Sequence, residues 1–205
     1  AIEFINKHTN GNSPFFAYVC FGSPHLPHIA DEQYRLLYDN QPENLQHYYG
    51  EITGMDRALG KLRNELKRLG IHKNTILWYL SDNGGVKRIS LTGGREYKGT
   101  IYEGGLRVPS IIEWPEVIKN PVITNIPCNT SDIYPTLLEI AGITIDDKPV
   151  LDGISLVPLL KNRMKKRPSP MGFWQYPNKG RQVASHAIML ELLKRQQSGG
   201  TGIDS

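Results

Sequence analysis

Cysteine is scarce in this sequence, with only Cys20 and Cys128 among 205 residues. So few thiols exclude a fold built on disulfides, and whether the two pair is open from sequence alone. Cys20 stands inside an apolar run and reads as a small core residue. Long hydrophobic runs are missing too. None approaches the ~20 residues that a membrane helix needs, so no membrane span is expected. One-sided charge is also lacking: 24 basic against 20 acidic residues leave a formal net charge of +4. That excess suits an anionic substrate in a cleft, but it falls short of the clustered basic surface of a nucleic-acid binder. There is no internal repeat. No targeting segment opens the chain either: Ala1-Ile2-Glu3-Phe4-Ile5 reads as part of an amphipathic helix, so the chain is expected to start in mid-fold, and its beginning is silent on compartment.

What is present is enough apolar residue for about one domain. The informative stretch is Leu77-Trp78-Tyr79-Leu80-Ser81-Asp82-Asn83-Gly84-Gly85. An apolar run over 76–80 without alternation, closed by a turn cluster, reads as a strand buried on both faces of an α/β sheet. Ligands in such sheets gather beyond the carboxyl ends of strands. Here that position holds a carboxylate beside an amide, a pair of oxygen donors suited to a hard metal ion. Gly84 and Gly85 allow a sharp turn and close approach. The competing reading is an Asx turn that only ends the strand.

Residues 15–21 form a second apolar run, expected to be another buried strand. It too exits into a polar cluster, Gly22-Ser23-Pro24-His25-Leu26-Pro27-His28. Proline fixes its own φ and restrains its predecessor, so this loop is stiff enough to aim an imidazole; the alternative is a surface loop with idle histidines. A short helix is expected over 30–38. A longer one is expected over 47–69, where Ile52, Met55, Leu59, Leu62, Leu66 and Leu69 make one stripe that packs on the sheet, with Gly70 as its stop. Residues 86–107 read as a long glycine-rich loop of the kind that usually carries function. A strand is expected over 108–114. Thr130 or Ser131 caps a helix that runs to Ala141 and ends at Gly142; Asn129-Thr130-Ser131 also fits a glycosylation acceptor, the weaker reading. A turn at 152–156 leads into a short helix over 157–160. The basic run 161–167 reads as a solvated patch, 171–176 as a strand, and 186–195 as a helix before a tail that frays.

Three segments then combine: Pro24-His25-Leu26-Pro27, Ser81-Asp82-Asn83-Gly84, and Tyr97-Lys98-Gly99-Thr100-Ile101-Tyr102-Glu103-Gly104-Gly105-Leu106-Arg107-Val108-Pro109. In this order and spacing they resemble the C-terminal half of the catalytic domain of sulfatases, formylglycine-dependent sulfuric ester hydrolases of the alkaline-phosphatase-like superfamily. The third block is the most specific. The resemblance runs to about residue 177 and takes in Thr130-Ser131-Asp132-Ile133-Tyr134-Pro135-Thr136 and Asp152-Gly153-Ile154-Ser155-Leu156.

The resemblance implies an α/β fold, a mixed and largely parallel sheet flanked by helices, incomplete because an N-terminal half is missing. It makes 1–177 part of the catalytic domain, and the residues beyond it, 178–205, are read from their own pattern as a helix and frayed tail. It makes Asp82 and Asn83 ligands of one divalent cation, usually calcium (Ca2+), sets Lys98 on the sulfate and His25 against the bridging ester oxygen. His28 is the second choice for His25's role, and Glu103 and Arg107 are a structural ion pair or loop anchors. Neither Cys20 nor Cys128 lies in the Cys-x-Pro-x-Arg frame of a formylglycine nucleophile, which is expected upstream, so this stretch alone is expected to be inactive. The expected substrate is an aryl sulfate or a sulfated glycan, and a periplasmic or extracellular setting follows from the resemblance alone. Two alternatives stay open: a phosphoric ester hydrolase or phosphotransferase of the same superfamily, and a non-catalytic binder of sulfated glycans.

Overall fold

The structure is a computed structural model. It describes residues 1–11, 13–87, 89, 94–147, 149–178, 181–190 and 193–198, with backbone alone from 172 onward. Two units, Ala1–Leu77 and Trp78–Ser205, are described separately.

The first unit is helical. α1 (Ile2–His8) buries Ile5. α2 (Glu32–Arg35) starts at Asp31, whose side chain accepts from the Gln33 amide, and a 3₁₀ turn (Leu36–Tyr38) follows. α3 (Glu43–Arg68) carries Glu43 in its first turn and Lys67 and Arg68 in its last, in line with the helix dipole. The expected stripe holds: Leu66 is buried and Ile52, Met55, Leu59, Leu62 and Leu69 are half-buried. α1 is tied to α3 by polar contacts, since Arg68 Nη2 donates to Asn6 Oδ1 at 3.1 Å and Asn6 Nδ2 donates to Glu65 Oε1 at 2.7 Å, while within α3 Arg68 Nε donates to Glu65 Oε2 at 2.8 Å. Those bonds hold the Glu65 carboxyl at about 2, below its ordinary 4.5.

The run 15–21 departs from expectation. It is not part of a strand, and Phe16, Tyr18 and Phe21 are 64%, 80% and 41% exposed. Cys20 is exposed as well, not a core residue. A strand buried on both faces needs sheet neighbours and covering layers, and the described elements of this unit before β1 are helices.

β1 (Leu77–Leu80) follows a short 3₁₀ turn and is half-buried throughout. In the second unit, α4 (Glu103–Leu106) leads to β2 (Ser110–Glu113). β1 and β2 pair in a two-stranded sheet, and Trp78 Nε1 donates to Ser110 Oγ at 3.1 Å. Asn129, not Thr130 or Ser131, is the cap. Its side chain accepts from the Ser131 amide while Asp132 reaches back to the Asn129 amide, a capping box ahead of α5 (Ile133–Ala141). Gly142 ends α5 in the left-handed conformation at φ 66°. α6 (Val157–Leu160) comes next.

Asp132 holds this region together. Its carboxylate takes a two-pronged contact from Arg167, with NH1 to Oδ2 and NH2 to Oδ1 both at 2.8 Å. It also accepts the Asn129 amide at 2.9 Å and the Ile154 amide at 2.8 Å. Thr136 Oγ1 donates to the Asp132 carbonyl and accepts the Leu156 amide, which docks the 152–156 turn on the helix start. Arg167 is thus buried at 4% exposure, and the basic run is not a solvated patch to its end.

β3 (Met171–Asn178), β4 (Arg181–Leu190) and β5 (Leu193–Ser198) form an antiparallel three-stranded sheet. The helix expected over 186–195 is therefore a correction: residues 186–190 are part of β4, paired with β3 from Met171↔Met189 to Asn178↔Arg181, and 193–195 are part of β5, paired with β4 from Ile188↔Arg195 to Leu190↔Leu193. Tertiary pairing overrides local helix preference. The expected boundary between 177 and 178 falls inside β3. The expected tail beyond 198 lies outside the described residues. Overall the chain is α/β with small sheets, and the antiparallel β3–β5 ladder is the part that a largely parallel sheet did not anticipate.

Two predictions follow from these contacts. Arg167→Ala leaves the Asp132 carboxylate buried without its counter-ion and should cost roughly 3–5 kcal/mol in urea denaturation; a loss below 1 kcal/mol contradicts the assignment. For Glu65 the folded pKa lies below the unfolded one, so its contribution is present above about 4.5 and fades as pH falls toward about 2. Following the α1 amides by NMR during acid titration should show them released in that window, and Glu65→Gln should remove the dependence.

Candidate metal and anion site

The strand exit and the glycine-rich block meet through their backbones. The Ser81 amide donates to Pro109 O at 3.4 Å, the Gly84 amide to Gly105 O at 3.0 Å and the Lys98 amide to Gly85 O at 2.8 Å. The approach is too close for side chains. A Cβ on Gly84 would overlap the Gly104 carbonyl oxygen and lie 2.8 Å from Gly105 Cα, and one on Gly104 would overlap the Glu96 carbonyl oxygen. Gly104 and Gly105 open α4, where their amides donate to Arg95 O at 2.8 Å and Tyr102 O at 2.9 Å. Lys98 therefore rides on a turn clamped to the end of β1. Gly99, at φ 88°, takes a conformation closed to most L residues, and Thr100 Oγ1 donates to Tyr97 O at 2.8 Å to shut the turn.

Asp82 is exposed, and its carboxylate has no hydrogen bond or ion pair among the described residues. Ser81 Oγ donates to Asn83 O at 3.0 Å and Asn83 Nδ2 donates to Gly84 O at 3.0 Å. That leaves Asn83 Oδ1 as an acceptor. Both side chains offer hard oxygen donors, which suits calcium in kind. They fall short in number, because calcium takes 6–8 oxygens, and no group of three or more candidate ligands occurs among the described residues. The donors fit part of a calcium site. Lys98 is exposed and its ammonium has no partner among the described residues. Two further cations border the block, Lys87 with Nζ 5.2 Å from the Tyr97 ring centroid and Arg95 stacked at 4.1 Å over Tyr102. Arg107 is a loop anchor through its amide, which donates to Glu103 O at 2.8 Å.

His25 belongs to the first unit. Its amide closes a turn onto Gly22 O at 3.1 Å and its exposed ring sets Nδ1 2.9 Å from Leu26 O. A carbonyl only accepts, so Nδ1 carries the hydrogen and Nε2 is the nitrogen left for other chemistry. His28 is different: its side chain is 5% exposed and Nδ1 donates to Glu51 Oε2 at 3.0 Å. Glu51 was not foreseen as a site residue. The signal was available, since Glu51 lies four residues before Met55 and so puts a carboxylate on the apolar stripe of α3.

The chain matches a family model described as Sulfatase over residues 1–143, and one described as N-sulphoglucosamine sulphohydrolase, C-terminal, over residues 96–194. It is 30% identical to an uncharacterized sulfatase, YdeN, of Escherichia coli, over 85% of this chain and 32% of that protein. It is 32% identical to the mouse N-acetylgalactosamine-6-sulfatase over 82% of this chain and 33% of that protein. Among solved structures, that of Ps i-CgsB in complex with k-i-k-neocarrahexaose aligns with TM-score 0.82 and 28% identity, covering 96% of this chain and 46% of that one. A putative sulfatase, yidJ, from Bacteroides fragilis shares the fold at TM-score 0.77 and 22% identity, over 92% of this chain and 45% of that one. The chain spans about a third of the length of the curated relatives it matches.

The close approach at the strand exit predicts that Gly104→Ala displaces the turn bearing Lys98. The expected loss is roughly 1–3 kcal/mol, typical of overpacking, with faster amide exchange at Lys98. Wild-type exchange at that amide would contradict the clamp.

Proposed function

The chain belongs to the sulfatase family, and from that premise we propose that it supplies part of the active site of a sulfuric ester hydrolase. The observation that supports this reading is the backbone clamp that ties the turn bearing Lys98 to the strand exit bearing Asp82 and Asn83, with the Lys98 amide donating to Gly85 O at 2.8 Å. Asp82 and Asn83 would hold a divalent cation, calcium by the character of the donors, and the bound ion would neutralise charge on sulfate oxygens. A formylglycine nucleophile would come from outside this chain, since neither cysteine lies in the required frame.

The chain's own residues supply orientation and charge. Lys98 offsets the negative charge on the non-bridging oxygens as the S–O bond lengthens, at an electrostatic cost already met by the fixed turn. His25, when protonated, would give the departing alcohol its proton from Nε2, because Nδ1 is engaged with Leu26 O. Such assistance typically contributes roughly 10²–10⁴ in rate. The relatives named for N-acetylgalactosamine-6-sulfate and for ulvan, and the structure holding a neocarrahexaose, support a sulfated glycan as substrate. A periplasmic or extracellular setting fits a polysaccharide of that kind.

In the full protein that carries this chain, Asp82→Ala should abolish metal-dependent hydrolysis of an aryl sulfate and leave the fold intact. Lys98→Ala and His25→Ala should each lower kcat by roughly 10²-fold or more. A change confined to KM would instead assign them to remote binding. Turnover of an aryl phosphate in preference to the sulfate would favour the phosphoric ester reading, and binding of sulfated glycan without turnover would favour the non-catalytic one.

A further inference from the structure

The loop carrying His25 is pinned to α3 three residues further on. The Glu51 carboxylate accepts twice from that loop, from His28 Nδ1 at 3.0 Å and from the Ile29 amide at 3.1 Å. One turn earlier on the helix, His47 Nδ1 accepts the Ala30 amide at 3.2 Å. Gly50 lets the loop lie flat, since a Cβ there would stand 2.7 Å from Ala30 Cβ. The His28 and Glu51 side chains are only 5% and 8% exposed, so water does not weaken the bond between them.

Two features make this more than packing. The Tyr48 ring stands edge-on to the His28 imidazole at 5.1 Å, and His28 Nε2 is buried with no hydrogen-bond partner among the described residues. The bond to Glu51 is thus the one polar contact that sets the ring's direction. A buried ionisable pair is also a poor choice for stability alone, because apolar side chains of similar volume do as well or better.

We propose that Glu51 and His28 are positioning residues that aim His25. Glu51 fixes His28; Pro27, with its φ locked, passes that constraint to the Leu26 peptide; and the Leu26 carbonyl holds His25 Nδ1 at 2.9 Å. Nε2 of His25 is thereby turned outward to one set direction. This rests on His25 acting as the acid of sulfate-ester cleavage, and it adds a mechanism by which a helix sets the leaving-group geometry.

The test uses the full protein with an aryl sulfate. Glu51→Gln keeps the shape and one acceptor, so it cannot serve both the Ile29 amide and His28 Nδ1. His28→Phe keeps the packing and removes the polar bond. Each should lower kcat about tenfold or more, in the range of a misaimed catalytic group, with KM unchanged and the loss persisting at a temperature where the variant is fully folded. Wild-type kcat in both variants overturns the proposal, and so does a kcat loss that follows a fall in Tm and is regained at lower temperature. His25→Ala, run in parallel, separates the two readings. A large loss there with none in Glu51→Gln and His28→Phe refutes only the positioning role, whereas no loss in His25→Ala removes the acid and the positioning proposal together.

Discussion

Backbone packed on backbone, without side chains between, is the constraint on which the rest of this structure depends. Gly84 and Gly85 leave β1 at a place where Gly104 and Gly105 enter α4, and the amide of one segment meets the carbonyl of the other. Close contact of this kind leaves no room for adjustment. It ties the turn that carries Lys98 to the strand exit that carries Asp82 and Asn83. Asp82 and Lys98 are both exposed, with no side-chain partner among the described residues.

A second constraint shapes the remainder of that unit. Asp132 gathers a guanidinium, two amides and, through Thr136, a third, so a capping residue, a turn and a distant arginine share one buried centre. Arg167 reaches it from a run that is otherwise basic surface. A buried charge pair is strongly destabilising when broken, which makes this centre a lock on α5 and α6 and not a site for chemistry.

Local pattern revealed much of this. The three-and-four spacing from Ile52 to Leu69 gave α3, the apolar run before Ser81 gave β1, and Gly142 marked the end of α5. Asp82 and Asn83 stood out as oxygen donors at a strand exit and His25 as an imidazole on a stiff loop, whereas Lys98 and the roles at the sulfate came from the resemblance to sulfatases. What stayed hidden depended on distant partners. Residues 15–21 have the composition of a buried strand, but composition cannot supply neighbouring strands. The stretch 186–195 reads as a helix, yet its described residues 186–190 and 193–195 are strand because β3 and β4 offer ladders. Arg167 looked like its basic neighbours until Asp132, 35 residues away, claimed it. Glu51 was legible in principle, as a carboxylate on an apolar stripe, yet its partner lies in a loop that periodicity does not describe.

The central claim is that the strand exit and the clamped turn form one corner of a sulfate site. The most direct measurement is a crystal structure of the full protein carrying this chain, grown with calcium and an unreactive sulfate-ester analogue. The account predicts the ion at ~2.3–2.6 Å from oxygens of Asp82 and Asn83, with a sulfate oxygen within hydrogen-bond reach of Lys98 Nζ. An ion held elsewhere, or a sulfate seated away from Lys98, would contradict it.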